Sequence, residues 1–91
     1  MSRVTVLAFR PTRSLDQASG LLGFVRIDVG DLRLDGVAVR RALDGRYVLS
    51  FPSRRDRQGV EHSTVSPLTV EIGRDIEAQV VATLRAWGEL R

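Results

Sequence analysis

The sequence predicts an α+β domain, in which an antiparallel β-meander of about five strands is followed by one C-terminal α-helix. Two patterns indicate this class. Segments of alternating apolar and polar residues, separated by glycine-containing turns, fill most of the chain before residue 66. The remainder carries apolar residues at intervals of four and three, which is typical of one buried helix face. We therefore expect residues 1–91 to form a single domain, with the helix covering one face of the sheet.

The first two strands follow from this alternation. Residues 3–9 predict the first strand, and residues 21–29 predict the second, with Arg26 on the face opposite the apolar side chains. Between them, residues 11–20 contain proline, serine and glycine and indicate a polar connection. A hairpin turn is predicted at residues 30–31, whose sequence is Gly-Asp.

The third strand contains a change of phase. Leu32 and Leu34 share one phase, whereas Val37 and Val39 share the opposite one, and an Asp-Gly pair at residues 35–36 lies between them. The pair is either a second tight turn or a bulge within one strand. Because strands of two or three residues would be marginal, we predict a bulge.

The fourth and fifth strands flank an arginine-rich loop. An Asp-Gly turn at residues 44–45 leads into the fourth strand at residues 46–51, and residues 60–65 form the fifth. Three side chains of the fourth strand share one face, which we assign to the core: Tyr47, Leu49 and Phe51.

The helix is expected to begin near Pro67 and to end before Gly88. Its apolar stripe consists of Leu68, Ile72, Ile76, Val80, Leu84 and Trp87. The position of Trp87 in this stripe assigns it to the core rather than to stacking on unpaired bases.

Composition excludes several classes of protein. A chain that is 43% hydrophobic and 27% charged is expected to be globular rather than disordered. No apolar run approaches the roughly 20 residues that span a bilayer, and the N-terminal residues lack a signal-peptide layout. Without cysteine there are no disulfides and no thiolate ligands. We expect a cytoplasmic protein with no membrane partner.

The charge is unevenly distributed. All fourteen basic residues are arginine, and the net charge is +3. Residues 37–59 carry six arginines against two aspartates, a local charge of +4, whereas residues 60–91 carry −2. Because the predicted helix is not the basic element, the pattern argues against a recognition helix and favours a surface of sheet and loop.

The arginine loop is the candidate binding site. Arg54, Arg55 and Arg57 follow the fourth strand directly, and their guanidinium groups match the geometry of phosphate. The alternative is a solvated hairpin tip, since turns are polar in any protein. Arg40 and Arg41 are adjacent at a strand end, so at most one should join the loop's surface unless the local turn rotates both outward.

No pattern predicts an enzyme. His62 is the only histidine and indicates an exposed strand residue rather than a metal ligand. Its neighbour Ser63 points to the opposite face of a strand, which is incompatible with a catalytic triad. No glycine-rich phosphate loop is present. We expect no catalytic residues, no metal, no cofactor and no small-molecule substrate.

The segment from Tyr47 to Gly59 resembles a motif of the stage V sporulation protein G (SpoVG) family of small bacterial regulators. That family has an apolar strand followed by Pro-Ser-Lys-Arg-x-x-x-Gly, and this chain has Pro52-Ser53-Arg54-Arg55 with Gly59. Downstream, the family's His-Pro-Ile falls without a gap on Ser66-Pro67-Leu68, and the helix that follows keeps its register. The resemblance covers about residues 20–88.

Departures from the family pattern indicate a diverged member. The family's histidine is Ser66 here, its lysine is Arg54, and the turn at residues 42–45 is spaced differently. The resemblance implies a single strand across residues 32–39, pairing between protomers as a homodimer or higher assembly, and a link to septation or sporulation control.

Together these observations predict a nucleic-acid-binding regulator that acts on DNA or RNA as a homodimer. Arg54, Arg55 and Arg57 would contact phosphates or guanine edges, with Arg40 or Arg41 as outer contacts. The alternative is a protein-interaction module that docks an acidic partner through the arginine loop or a sheet edge and binds no nucleic acid.

Overall fold

The computed structural model describes residues 1–91 and contains six strands and two helices. Four strands form an antiparallel sheet in chain order, and the other two form a separate hairpin. The elements are β1 (Val4–Pro11), α1 (Ser14–Ala18), β2 (Leu21–Val29), β3 (Leu32–Arg41), β4 (Tyr47–Ser50), β5 (Ser53–Arg55), β6 (Glu61–Ser63) and α2 (Val70–Ala86). The predicted α+β class, a sheet followed by a C-terminal helix, is confirmed.

The hairpin of β2 and β3 has the predicted turn and the predicted bulge. Val29 pairs with Leu32 across the two-residue turn, where Gly30 adopts a φ of 58°. Further along, the ladder shifts so that two residues of β3, Asp35 and Gly36, lie opposite Arg26 of β2. Gly36 has a φ of 77°, a backbone conformation that glycine adopts at no steric cost. The bulge explains the change of phase and keeps β3 a single strand.

The last predicted strand differs from the prediction in its partner. Residues 60–65 were expected to extend the sheet, but β6 pairs only with β5. Pro52 follows β4 and has no N–H to donate to a ladder, so the chain leaves the sheet at this point. As a result β4 remains an edge strand, and the arginine segment becomes part of a hairpin of its own.

A short helix, α1, lies in the segment predicted as a polar connection. It has five residues and no buried side chain. An element this short and this exposed leaves no apolar periodicity in the sequence, which is why the pattern did not indicate it.

The helix α2 begins later than predicted. Thr69 caps it, since its Oγ1 accepts a hydrogen bond from the Ile72 N–H at 3.1 Å. Leu68 precedes this cap and is 92% exposed, so its assignment to the core was wrong. Trp87 was also wrongly assigned to the core, because it lies at the C-terminal cap and is 48% exposed. Gly88 follows with a φ of 78° and ends the helix as predicted.

The core lies between α2 and one face of the sheet. From α2 it takes Ile76, Val80 and Leu84, which are the central residues of the predicted stripe. From the sheet it takes Val6, Leu22, Val25, Ile27, Val37, Val39 and Leu49. Tyr47 and Phe51 are half-buried and pack against this cluster, as expected.

The edge strand β4 is attached to α2 by a hydrogen bond. The Leu49 N–H donates to Oε2 of Glu77 at 3.2 Å, so the carboxylate satisfies a backbone donor that has no strand partner. The helix thereby covers part of the edge that would otherwise be open to strand pairing. Neither helix is long and apolar enough to cross a bilayer.

Candidate nucleic-acid interface

The candidate site is the hairpin of β5 and β6, residues 53–63, which we call the arm. Every residue of the arm is exposed, and the arm packs against no other helix or strand. Its base is closed by the N–H groups of Thr64 and Val65, which donate to the Pro52 carbonyl at 3.1 and 3.4 Å. The arm is therefore a projecting two-stranded ribbon.

The turn of the arm is organised by Asp56. Its Oδ1 accepts hydrogen bonds from the N–H groups of Gln58 and Val60, both at 2.9 Å. The backbone closes the same turn, because the Asp56 N–H donates to the Val60 carbonyl and the Gly59 N–H donates to the Asp56 carbonyl. Gly59 adopts a φ of 80°, which the turn requires. The carboxylate thus serves the geometry of the arm.

The other oxygen of Asp56 reaches the second strand. Oδ2 lies 2.9 Å from Nε2 of His62. This hydrogen bond, followed by those from the Val60 and Gln58 N–H groups, holds the pKa of Asp56 below its usual value. His62 is an exposed strand residue, as predicted, and it also fixes the turn.

Pairing between the two strands distributes the arginines over both faces of the arm. Arg54 lies opposite His62, and Arg55 lies opposite Glu61. Since paired residues share a face and adjacent ones alternate, Arg54 and Arg55 lie on opposite faces. Glu61 accepts a hydrogen bond from the Ser53 hydroxyl, so it is also engaged within the arm.

The arginines of the arm have no carboxylate partner. Arg54, Arg55 and Arg57 are exposed and form no ion pair. By contrast, three arginines elsewhere are paired with aspartates: Arg3 with Asp31, Arg26 with Asp35 and Arg33 with Asp28. The arm therefore carries guanidinium groups whose donors are free to bind an anion.

The structure does not bring Arg40 and Arg41 to the arm. They pair with Val48 and Tyr47, at the start of β4, whereas the arm leaves from the opposite end of that strand. As adjacent strand residues they lie on opposite faces of the sheet, in agreement with the sequence prediction. Arg41 is on the face that α2 covers, because it shares that face with Tyr47.

Three further arginines come together that the sequence did not group. Arg46, in the turn before β4, lines one groove with Arg74 and Arg85 of α2. The usable signal was the spacing of Arg74 and Arg85, because eleven residues correspond to about three helical turns and place both on one side. Their approach to Arg46 depends on how α2 packs on the sheet.

No three acidic or histidine side chains converge in a way that could hold a metal ion. Comparison with family models, with curated proteins and with solved structures finds no match for this chain.

Proposed function

We propose that this protein is a small bacterial regulator of the SpoVG type that binds DNA or RNA through the arm and acts as a homodimer. The observation that carries the proposal is the set of three arginines without carboxylate partners on a hairpin that packs against nothing. A hairpin that buries no surface adds little to the stability of the domain, so contact with a partner accounts better for its ordered turn and its free charges.

The chemistry of the arm suits phosphate and base edges. Each guanidinium has five donors in a planar fork, which pairs with two oxygens of a phosphate or with O6 and N7 of guanine. A two-stranded ribbon also has the dimensions that the major groove of B-DNA admits. With no aromatic residue in the arm, stacking on single-stranded bases contributes little to the proposed mode.

The SpoVG assignment rests on the motif and on what its residues do in this fold. Pro52 stands where the chain leaves the sheet, and Gly59 supplies the positive φ of the turn. The spacing of these two residues thus sets the length of the arm. A role in septation or sporulation control, and a cytoplasmic location, belong to the same proposal.

The homodimer is proposed at a sheet edge. The edge strands β1 and β4 each have one side without a strand partner. On β4 the Leu49 N–H is already bound by Glu77, which leaves β1 as the more open edge. A dimer would present two arms to one nucleic acid and double the number of arginine contacts.

The alternative function is a protein-interaction module that docks an acidic partner through the arm. The same free guanidinium groups support it, since carboxylates also accept bidentate hydrogen bonds. The two functions differ in the dependence of nucleic-acid binding on salt, because only phosphate contacts release the counterions condensed on a nucleic acid.

The test is fluorescence anisotropy with a random DNA duplex and a random RNA at several salt concentrations. For duplex DNA, log K should fall with log salt by about 0.9 for each phosphate contacted. Arg54→Ala/Arg55→Ala should weaken binding and flatten this slope by up to about four contacts in a dimer.

The matched control is Arg10→Ala/Arg13→Ala. It removes the same charge from exposed, unpaired arginines on and just after β1, at the far side of the sheet. The control should leave the slope unchanged. Weak nucleic-acid binding with the same slope in the arm variant, and an intact circular dichroism spectrum, would favour the protein-docking alternative.

A further inference from the structure

A groove beside the edge strand β4 is lined by arginines that the arm does not include. It lies between α2 and the turn that precedes β4, and its volume is about 470 Å³. Arg46 contributes from the turn, and Arg74 and Arg85 contribute from α2. All three are exposed and form no ion pair.

One of these arginines is held in place by its neighbours. The Arg85 guanidinium lies over the Tyr47 ring, 5.6 Å from its centroid, and its Nε donates to the Arg91 carbonyl at 2.9 Å. These contacts restrict the side chain while leaving its terminal donors unused. A guanidinium that is oriented before binding loses less conformational entropy when an anion arrives.

The only carboxylate that lines the groove is already engaged. It belongs to Glu77, whose Oε2 accepts the Leu49 N–H. Glu77 forms no ion pair with the three arginines. The groove therefore has three guanidinium groups against one carboxylate, and that carboxylate serves the fold.

The groove follows β4 away from the arm. Glu77 contacts Leu49, and Arg85 contacts Tyr47, so α2 runs antiparallel to β4. Arg74 precedes Glu77 on α2 and lies toward the end of β4 from which the arm departs. Arg85 lies eleven residues further on, which is about 16 Å along a helix. The basic groups thus form a line that begins at the base of the arm.

We propose that this groove binds the phosphodiester backbone of the same DNA that the arm holds, through Arg46, Arg74 and Arg85. The inference rests on the proposed function and extends it, because the arm would then be one end of a longer interface. The charge of the groove and its continuity with the arm both support this occupant. These arginines are spaced for backbone contacts and position the DNA without reading its sequence.

An acidic peptide fits the groove less well. A peptide that added a strand to β4 would need the Leu49 N–H, which Glu77 already occupies. The Glu77 carboxylate would also repel acidic side chains laid along this edge. Phosphates that contact the guanidinium groups from solvent require neither the backbone donor nor the displacement of Glu77.

The experiment compares Arg46→Ala/Arg74→Ala with wild type and with the control Arg10→Ala/Arg13→Ala, using a labelled random DNA duplex. Arg85 is left unchanged because it also stacks on Tyr47. Losing two phosphate contacts should flatten the salt slope by about 1.8 units and weaken binding by on the order of tenfold or more near 0.1 M salt. The control should change neither quantity.

A second variant provides an effect of opposite sign. Glu77→Gln keeps an oxygen for the Leu49 N–H but removes the negative charge, so it should tighten DNA binding. Wild-type binding with an unaltered slope in Arg46→Ala/Arg74→Ala would overturn the groove while leaving the arm in place. Loss of slope in the groove variant alone would support the groove and contradict the proposed role of the arm.

Two remaining outcomes also decide the proposal. No salt-dependent DNA binding by the wild type would overturn both the groove and the arm. A poly-glutamate peptide that binds more tightly than the duplex, and that the groove variant releases, would overturn the nucleic-acid occupant in favour of an acidic protein partner.

Discussion

The Asp56 carboxylate lies 2.9 Å from Nε2 of His62, and this contact joins the turn of the arm to its second strand. Because the ionised carboxylate can only accept, the His62 Nε2 carries the hydrogen. The same carboxylate accepts two backbone N–H groups of the turn. One acidic side chain therefore orders the segment that carries Arg54, Arg55 and Arg57, without pairing with any of them.

The arm should lose order in acid. The folded-state pKa of Asp56 lies below its value of 3.8 in an unstructured chain, chiefly because of His62 and then the Val60 N–H. The contribution of the ionised carboxylate is therefore present above about pH 4 and is lost as the pH falls through the lowered pKa. The amide resonances of Gln58 and Val60, followed by NMR from pH 5 to pH 2, should report a midpoint below 3.8.

The matched variant is Asp56→Asn, which keeps an oxygen acceptor for the turn but has no carboxyl group to titrate. Its Gln58 and Val60 resonances should not report a transition in this range. A wild-type midpoint above about 4 would show that the carboxylate does not stabilise the turn in its ionised form. Asp28 and Asp35 also have lowered pKa values, from Arg33 and Arg26, so a local readout is needed.

Stability should depend on the helix stripe and not on the arm. Ile76 and Leu84 are 4% and 0% exposed, so replacing either with alanine should cost about 2–5 kcal/mol of unfolding free energy. Arg55→Ala should change this quantity by no more than about 0.5 kcal/mol, because the arm packs against nothing. Urea denaturation of the three variants measures both effects. Similar losses in all three would mean that the arm is part of the packed structure.

The exposed position of Trp87 gives a further comparison within the same stripe. Trp87→Ala should cost less than Leu84→Ala, although tryptophan is the larger side chain, because 48% of Trp87 is already exposed to water. The two variants can be compared in the same denaturation series. A larger loss for Trp87→Ala would contradict its placement at the end of α2.

The bond between Glu77 and Leu49 should contribute to stability at the sheet edge. Glu77→Ala leaves the Leu49 N–H of a 9%-exposed residue without its acceptor, at a cost of about 1–3 kcal/mol. Glu77→Gln retains an acceptor and should lose clearly less. Equal losses in thermal or chemical unfolding would indicate that the hydrogen bond itself contributes nothing.

The proposed homodimer should be stable at micromolar concentration. Static light scattering should then give about twice the chain mass of 10.1 kDa. A proline at Leu7, in the bulge of the open edge strand β1, should shift the mass toward the monomer if β1 forms the interface. A wild-type mass of one chain would remove the dimer from the proposal.

Local features of the fold were predictable because they depend on neighbouring residues. The Asp35-Gly36 bulge could be predicted from the change of apolar phase on either side of it. The burial of Ile76, Val80 and Leu84 followed from helical spacing alone. The exposure of the three arm arginines was predictable as well, since a charged segment after a proline has no apolar face to bury.

The tertiary structure decided which surfaces these features form. Sequence spacing could not show that β6 pairs with β5 instead of joining the sheet, because strand pairing is a choice between distant partners of similar local pattern. It could not show that Leu68 and Trp87 lie beyond the ends of the buried helix face, because the extent of that face is set by the width of the sheet beneath it. The approach of Arg46 to Arg74 and Arg85 arises for the same reason, since only the packing of α2 against β4 brings residues so far apart in sequence to one groove.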